Sequence, residues 1–146
     1  MPNTLSTQLK VSPPPDWHRV DNPSYKGNVV LRRGESDQTG LMQMSIGLYQ
    51  GGHPPDFSAE SLIVQAQQYG IEIGYGRPGE AAGGACAIGL FGTAVFHPNP
   101  QDRAQLWFVS NSRDVVLVSY VCSPEQESGG LAEAQSIVNT MQLVIA

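Results

Sequence analysis

The hydrophobic pattern along the chain changes period several times, and each change marks an element. Met42, Met44, Ile46 and Leu48 alternate with Gln43, Ser45 and Gly47, the period of a strand with one buried face. This strand, Leu41 to Tyr49, pairs in a predicted hairpin with Asn28 to Arg33 across the turn-rich Gly34-Glu-Ser-Asp-Gln-Thr-Gly40. Leu62, Ala66 and Tyr69 then recur at helical spacing, with Ser58 as N-cap and Gly70 as stop, predicting a helix over 58–69. Gly74 to Gly84 reads as a glycine-rich connector. Three strands follow, about Ala85 to Phe96, Ala104 to Val109 and Asp114 to Cys122, linked by His97-Pro-Asn-Pro-Gln-Asp102 and Ser110-Asn-Ser-Arg113. The last of these is apolar on both sides: Val115, Leu117 and Val121 on one, Val116, Val118 and Tyr120 on the other. Such a strand is covered on both faces.

Leu131, Ala134, Val138 and Met141 form a closing helical stripe, with Glu133, Gln135 and Gln142 off it. Leu143-Val-Ile145 adds a final short strand, and Leu9-Lys-Val11 a first one, stopped by Pro13-Pro14-Pro15, which cannot donate to a ladder. The order implies an α+β domain, a mostly antiparallel sheet packed by two helices in an α/β/α sandwich. It is read as one domain over 1–146 with a loose polar start at 1–7.

Composition narrows the function. A chain of 146 residues buries a core without staples. Sixteen Gly and eleven Pro favour short elements and many turns over a helical bundle. A formal charge of −5, with Arg32-Arg33 the only adjacent basic pair, speaks against nucleic acid or an anionic membrane as partner. No apolar stretch is long enough to cross a bilayer, and Met1 to Lys10 lacks the apolar centre of a secretory signal. With Met1 as the native start, this implies a cytoplasmic location.

Few residues suggest chemistry. Gly74-Tyr-Gly76-Arg-Pro-Gly79 fits G-x-G-x-x-G, but Pro78 and Gly83-Gly84 exclude the helix that a dinucleotide fingerprint needs, and no acid follows at the required distance. His18, His53 and His97 are far apart and show no metal-ligand spacing, so no metal or cofactor is expected. The carboxylates form no acid–base pair, and there is no G-x-S-x-G elbow.

Cys122 is the one catalytic candidate. Ser123 caps, Pro124 suits a first helical position and Gln126 completes a capping box, so the thiol lies beside a helix start that lowers a thiol pKa. Against this, Gly129-Gly130 limits that helix to a turn, and the usual role of such a cysteine is a small buried hydrophobe. Cys86 and Cys122 fall at opposite ends of the three-strand meander, about 30 Å apart at 3.3 Å per residue, too far for a disulfide. For a binding surface the candidates are Tyr49, Tyr75, Arg77 and Trp107. Trp107 shares its strand face with Gln105, opposite to Leu106 and Phe108, which makes it either a recognition anchor or, more commonly, an aromatic covered by a helix.

Val11-Ser-Pro-Pro-Pro-Asp-Trp17, the helix over 58–69, the apolar strand 114–122 and the closing helix with Ile137-Val-Asn-Thr-Met141 together resemble the PsbP-like fold. That fold is shared by photosystem II extrinsic proteins, a Ran-binding nuclear import factor, DcrB-type bacterial proteins and some effector chaperones of type VI secretion. The resemblance implies a non-enzymatic protein that binds another protein, as adaptor, chaperone or immunity-like domain, with a secreted effector among the implied partners. Its chaperone members imply a homodimer with an apolar groove for a partner's helix. An immunity role implies an acidic surface, for which Asp37, Asp56, Glu72 and Glu80 are available. Two other functions compete with it: a thiol-dependent enzyme at Cys122, and a small-ligand carrier with Trp107 and Tyr75 lining a pocket.

Overall fold

The computed structural model describes residues 7–20, 29–34, 40–48 and 58–145. The elements are β1 (Thr7–Lys10), β2 (Trp17–Arg19), β3 (Val29–Arg33), β4 (Leu41–Leu48), α1 (Ala59–Glu72), β5 (Ala81–Ala85), β6 (Leu90–Asn99), β7 (Asp102–Ser110), β8 (Asp114–Cys122), α2 (Glu127–Thr140) and β9 (Gln142–Ile145). Seven strands form one antiparallel sheet in the order β2-β3-β4-β8-β7-β6-β5, and β1 pairs with β9 in a separate ribbon. The architecture is α+β, a large antiparallel sheet packed by two helices.

The register assigns every residue to a face, because directly opposed residues point the same way. Met42, Tyr120 and Gln105 are opposed, as are Met44, Val118, Trp107 and Thr93. This face packs on Ala134, Ile137 and Val138 of α2 and on Met141 just beyond its end. The other face carries Leu106, Ala104, Ala94 and Phe96, which pack on Ala66 of α1. The two helices thus cover opposite faces. α1 lies over β5, β6 and β7.

The expected central strand is β8, the fourth of seven. Its α2 face is fully buried at Val116, Val118 and Tyr120, whereas Val115, Leu117, Ser119 and Val121 on the other face are half-buried. Cover on that side is partial because α1 sits over the β5–β7 half of the sheet.

Three further expectations are corrected. The strand placed over 85–96 is a hairpin: β5 begins at Ala81, turns through residues 86–89 and returns as β6. Gly83-Gly84, read as connector, lies inside β5, where α1 passes so close that a Cβ on Gly83 would sit 3.0 Å from that of Ala59. Next, α1 does not stop at Gly70. It runs to Glu72 and closes in a Schellman motif, with Tyr75 N–H on the Gly70 carbonyl (2.9 Å), Gly74 N–H on that of Ile71 (3.1 Å) and Gly74 at φ +88°. Gly70 instead makes room for the Phe96 ring, which a Cβ there would strike. Lastly, Gly129-Gly130 does not break the closing helix. A 3₁₀ turn over Pro124–Gln126 leads straight into α2, which continues through both glycines. A Cβ on Gly130 would collide with the Tyr120 hydroxyl, and one on Gly129 would approach the Arg33 guanidinium at 3.0 Å.

Candidate functional site

Beside α1 the sheet is uncovered by the described elements, and a concavity of about 290 Å³ opens there. Its floor is Gln43 and Ser45 of β4, Leu117 and Ser119 of β8 and Leu106 of β7. Its wall is the end of α1 and the Schellman turn, with Tyr69, Ile73 and Tyr75. The motif swings Tyr75 back over the sheet, where its ring meets Phe96 edge-on at 5.8 Å, while Tyr69 stacks edge-on against Phe108 at 5.9 Å. Burial, and after it the neighbouring Tyr69, raises the Tyr75 hydroxyl above the ordinary tyrosine pKa. The Tyr75 phenol is therefore neutral at physiological pH.

Among the described residues that line it there is no carboxylate, imidazole, thiol or basic group. Hydroxyls and one carboxamide can give and accept hydrogen bonds there, beside the apolar surface of Ile73, Leu106 and Leu117. Among the described residues, no three His, Cys, Asp or Glu side chains cluster as a metal site. No helix among the described residues is long and apolar enough to cross a membrane.

The sequence candidates scatter over the molecule. Tyr75 rims the concavity. Arg77 is exposed on the loop beyond it. Tyr49 lies outside the described residues, as do His53, Asp37, Asp56 and the Gln126 side chain. Trp107 is fully buried on the opposite face, under α2, and its indole N–H donates to Gln135 Oε1 at 2.9 Å. It therefore shares no pocket with Tyr75. Its neighbour Gln105 is also buried, with its amide donating to Thr93 Oγ1 at 2.8 Å and that hydroxyl to the Leu106 carbonyl at 2.6 Å.

Cys122 ends β8 at 3% exposure, inside the α2-face cluster with Trp17 and Tyr120. Neither cysteine forms a disulfide. Cys86 lies in the β5–β6 turn, level with the Val115 end of β8, so the two are separated by roughly 23 Å along the strands. Gln43, Ser45, Ser119, Tyr69 and Ile73 were not singled out from sequence. The available signal was Ser119, the one polar residue between Asp114 and Cys122 in an otherwise apolar strand.

A polar clasp lies at the other side of the molecule. Glu133 of α2 accepts the Trp17 indole N–H at 2.7 Å and Arg33 Nε at 2.9 Å. The Arg33 hydrogen bond, followed by that of Trp17, lowers the Glu133 pKa, and the same contact raises that of Arg33. The clasp ties the β2–β3 edge to α2 and closes over the Trp17–Tyr120 ring pair, 5.5 Å between centroids.

No protein-family model and no curated protein sequence matches the chain. Solved structures do. The chain is similar to cyanobacterial PsbP (CyanoP) from Synechocystis sp. PCC 6803, at a TM-score of 0.63 and 11% identity over 97% of this chain and 95% of that one. It is similar to LpqN of Mycobacterium tuberculosis, involved in cell envelope biogenesis, with a TM-score of 0.63 and 9% identity over 97% and 86%. It is similar also to the Ran-binding protein Mog1p of Saccharomyces cerevisiae, with a TM-score of 0.58 and 11% identity over 94% and 95%. A Bacteroides thetaiotaomicron structure matches at 0.55 and 14% identity over 91% of this chain, which spans only 44% of that longer one. The fold is the PsbP-like fold. At these identities the likeness establishes the fold and nothing finer.

Proposed function

We propose that this chain is a non-enzymatic protein-binding domain, acting as an adaptor, chaperone or immunity-like protein, and that it receives an apolar segment of its partner at the concavity beside α1. The observation that carries this reading is the site's composition. A neutral, tyrosine-walled hollow lies directly against Ile73, a large apolar side chain left 42% exposed. An apolar anchor entering a pocket with a few orienting hydrogen-bonding groups is how interface hot spots are built. The Ran-binding protein of the same fold supports the general class, by analogy of fold alone. Glu72 and Glu80 are exposed near this end of α1, which suits a partner with basic residues around the apolar anchor.

The partner is to be sought among products of neighbouring genes, using the purified chain and calorimetry. Ile73→Asp is expected to weaken binding at least about tenfold, the loss of a typical anchor, without shifting the denaturation midpoint. Equal binding by wild type and Ile73→Asp overturns this assignment. A small-ligand carrier would use the same hollow, through Tyr75 and without Trp107.

A further inference from the structure

The two ends of the seven-stranded sheet are finished differently. At one end β2 follows Pro13-Pro14-Pro15, carries His18 and Arg19, and is held by the Trp17–Glu133 bond. Proline, charge and shortness are the usual means of keeping an edge from pairing. The other end is β5, Ala-Ala-Gly-Gly-Ala, with none of these. Ala81, Ala82, Gly83 and Ala85 are all exposed.

The direction of the free backbone groups on β5 follows from its pairing. Cys86 N–H bonds to the Gly89 carbonyl at 3.0 Å, and Val95 N–H bonds to that of Glu80 at 2.8 Å. Both ends agree that the even-numbered residues of the strand bond inward to β6. In an antiparallel ladder the alternate residues point their N–H and C=O the other way. Ala81, Gly83 and Ala85 therefore present theirs at the open edge.

We propose that β5 is a self-association edge, on which a second copy of this chain pairs antiparallel about a two-fold axis at Gly83. That symmetry opposes Ala81 to Ala85 of the second copy and Gly83 to its own equivalent. Each outward-bonding residue then meets another outward-bonding residue, and every one of these pairs exchanges both hydrogen bonds. The side chains of the strand are methyl groups or hydrogen, so they do not obstruct the approach. The strand has no charge, and the nearest, Glu80, is opposed to Cys86 of the second copy, which keeps the two glutamates at opposite ends of the seam. Such a dimer continues the sheet through both chains.

The helix above supplies the apolar part of the same surface. Ile63 faces this edge, since a Cβ on Gly83 would lie 3.1 Å from its Cδ1. Each residue advances an α-helix by about 100°, so Val64 and Ile71 project about 100° and 80° beyond Ile63, on the flank away from Tyr69. They are 51% and 52% exposed. A two-fold axis perpendicular to the sheet leaves both copies of α1 on one face, with these flanks turned toward each other. Glu60 lies on the same flank and is exposed, so the symmetry turns it toward its own equivalent.

Sedimentation velocity and amide exchange on the full chain, from micromolar to millimolar concentration, test this. A concentration-dependent dimer is expected, in which the Ala81, Gly83 and Ala85 amides become protected while Ala82 and Gly84 are protected throughout. Ala81→Pro removes an outward N–H and no inward one. Because symmetry applies the loss twice, dimerisation should weaken about tenfold or more, with the exchange of Ala82 and Gly84 confirming the fold. Glu60→Gln should strengthen it. A monomer at millimolar concentration, or a dimer whose odd-numbered amides still exchange fast, overturns the proposal. Protection of those amides only when another protein is added assigns the edge to a foreign strand and overturns self-pairing as well. None of these results depends on Ile73, so failure here leaves the concavity reading standing.

Discussion

The two faces of the sheet are packed by opposite methods. Toward α2 the gap is filled by large side chains: Trp107, Tyr120, Met42, Met44, Ile137 and Met141, all fully buried. Two indole N–H groups reach acceptors on the flanks of the helix, Glu133 and Gln135. Toward α1 there is almost no gap. A Cβ on Gly92 would collide with the backbone at Leu62 and Ile63, and Gly70 and Gly83 have similarly close neighbours. One helix stands off on a layer of side chains, and the other comes down onto the strands at Gly92 and Gly83 and rides on the Phe96 ring at Gly70. The first arrangement resists loss of volume, the second any gain of it. Because α1 is drawn down at the β5–β7 end, the sheet beside it is left with a concavity, and the candidate site lies on that face.

The contrast is broken most sharply by exchanging the insults. Trp107→Ala leaves a large void and strands the Gln135 acceptor, and an unfolding titration should show a loss of about 3–5 kcal/mol. Gly92→Ala adds a single methyl group to the other face, with an expected loss of about 1–3 kcal/mol or more, since helix backbone and not a flexible side-chain end blocks it. Gly92→Ala should also open amide exchange in α1 while leaving α2 protected. A loss below about 0.5 kcal/mol, the range of an ordinary surface change, would show that α1 is not seated as closely as described.

The next effect tests a glycine on the α2 face. The Tyr120 hydroxyl is buried against Gly40 and Gly130, and among the described residues only the neighbouring Cys122 thiol, a weak partner, interacts with it as a hydrogen-bonding group. Burial, and after it the adjacent Cys122, holds its pKa well above the ordinary phenol value. Tyr120→Phe should therefore fall within about 1 kcal/mol of wild type, because at most a weak contact with the Cys122 thiol is lost. Gly130→Ala should cost about 1–3 kcal/mol. Combined with Tyr120→Phe, part of that loss should be recovered, since the remaining ring atoms lie 3.0 and 3.2 Å from the new Cβ. Gly40→Ala should not be recovered, because there the ring carbons themselves are struck. Strict additivity at Gly130 would place the collision elsewhere.

These glycines also explain what sequence reading reached and what it missed. Alternation in Met42, Met44, Ile46 and Leu48, the helical stripe of α2 and the two-sided β8 were legible, since each follows from a local period. From sequence alone Gly70, Gly83-Gly84 and Gly129-Gly130 read as stops and connectors, because glycine breaks elements by default. Here all five sit inside elements, and at Gly70, Gly83, Gly130 and Gly129 the space above is limited by a residue from another element: Phe96, Ala59, Tyr120 and Arg33 respectively. The terminal strand β2 has three residues, too few to show a period. The concavity draws on β4, β7, β8 and α1, so only Ser119 gave it a local trace. The pairing of Trp107 with Gln105 on one face was legible, and the acceptor above that face, Gln135, belonged to no pattern within the strand.

The smallest effect separates the clasp from the core it closes. Glu133 holds Arg33 and Trp17, and those hydrogen bonds lower its pKa in the folded chain. A lowered folded pKa means that the unfolded chain binds the proton more readily, so the contribution is complete above the unfolded carboxyl value, about 4.3. It is lost as pH falls from there through the lowered folded value. Glu133 is partly exposed, its side chain at 34% and that of Arg33 at 19%, and solvent screens the pair. Glu133→Gln keeps an acceptor for Trp17 and removes the charge. At neutral pH it should lower stability by no more than about 1 kcal/mol, and the difference from wild type should shrink as pH drops into the acid window. High salt at neutral pH should shrink it as well. A difference that persists unchanged at low pH would mean that Glu133 acts through its packing over Trp17 and Tyr120, and the clasp would then belong to the α2-face core.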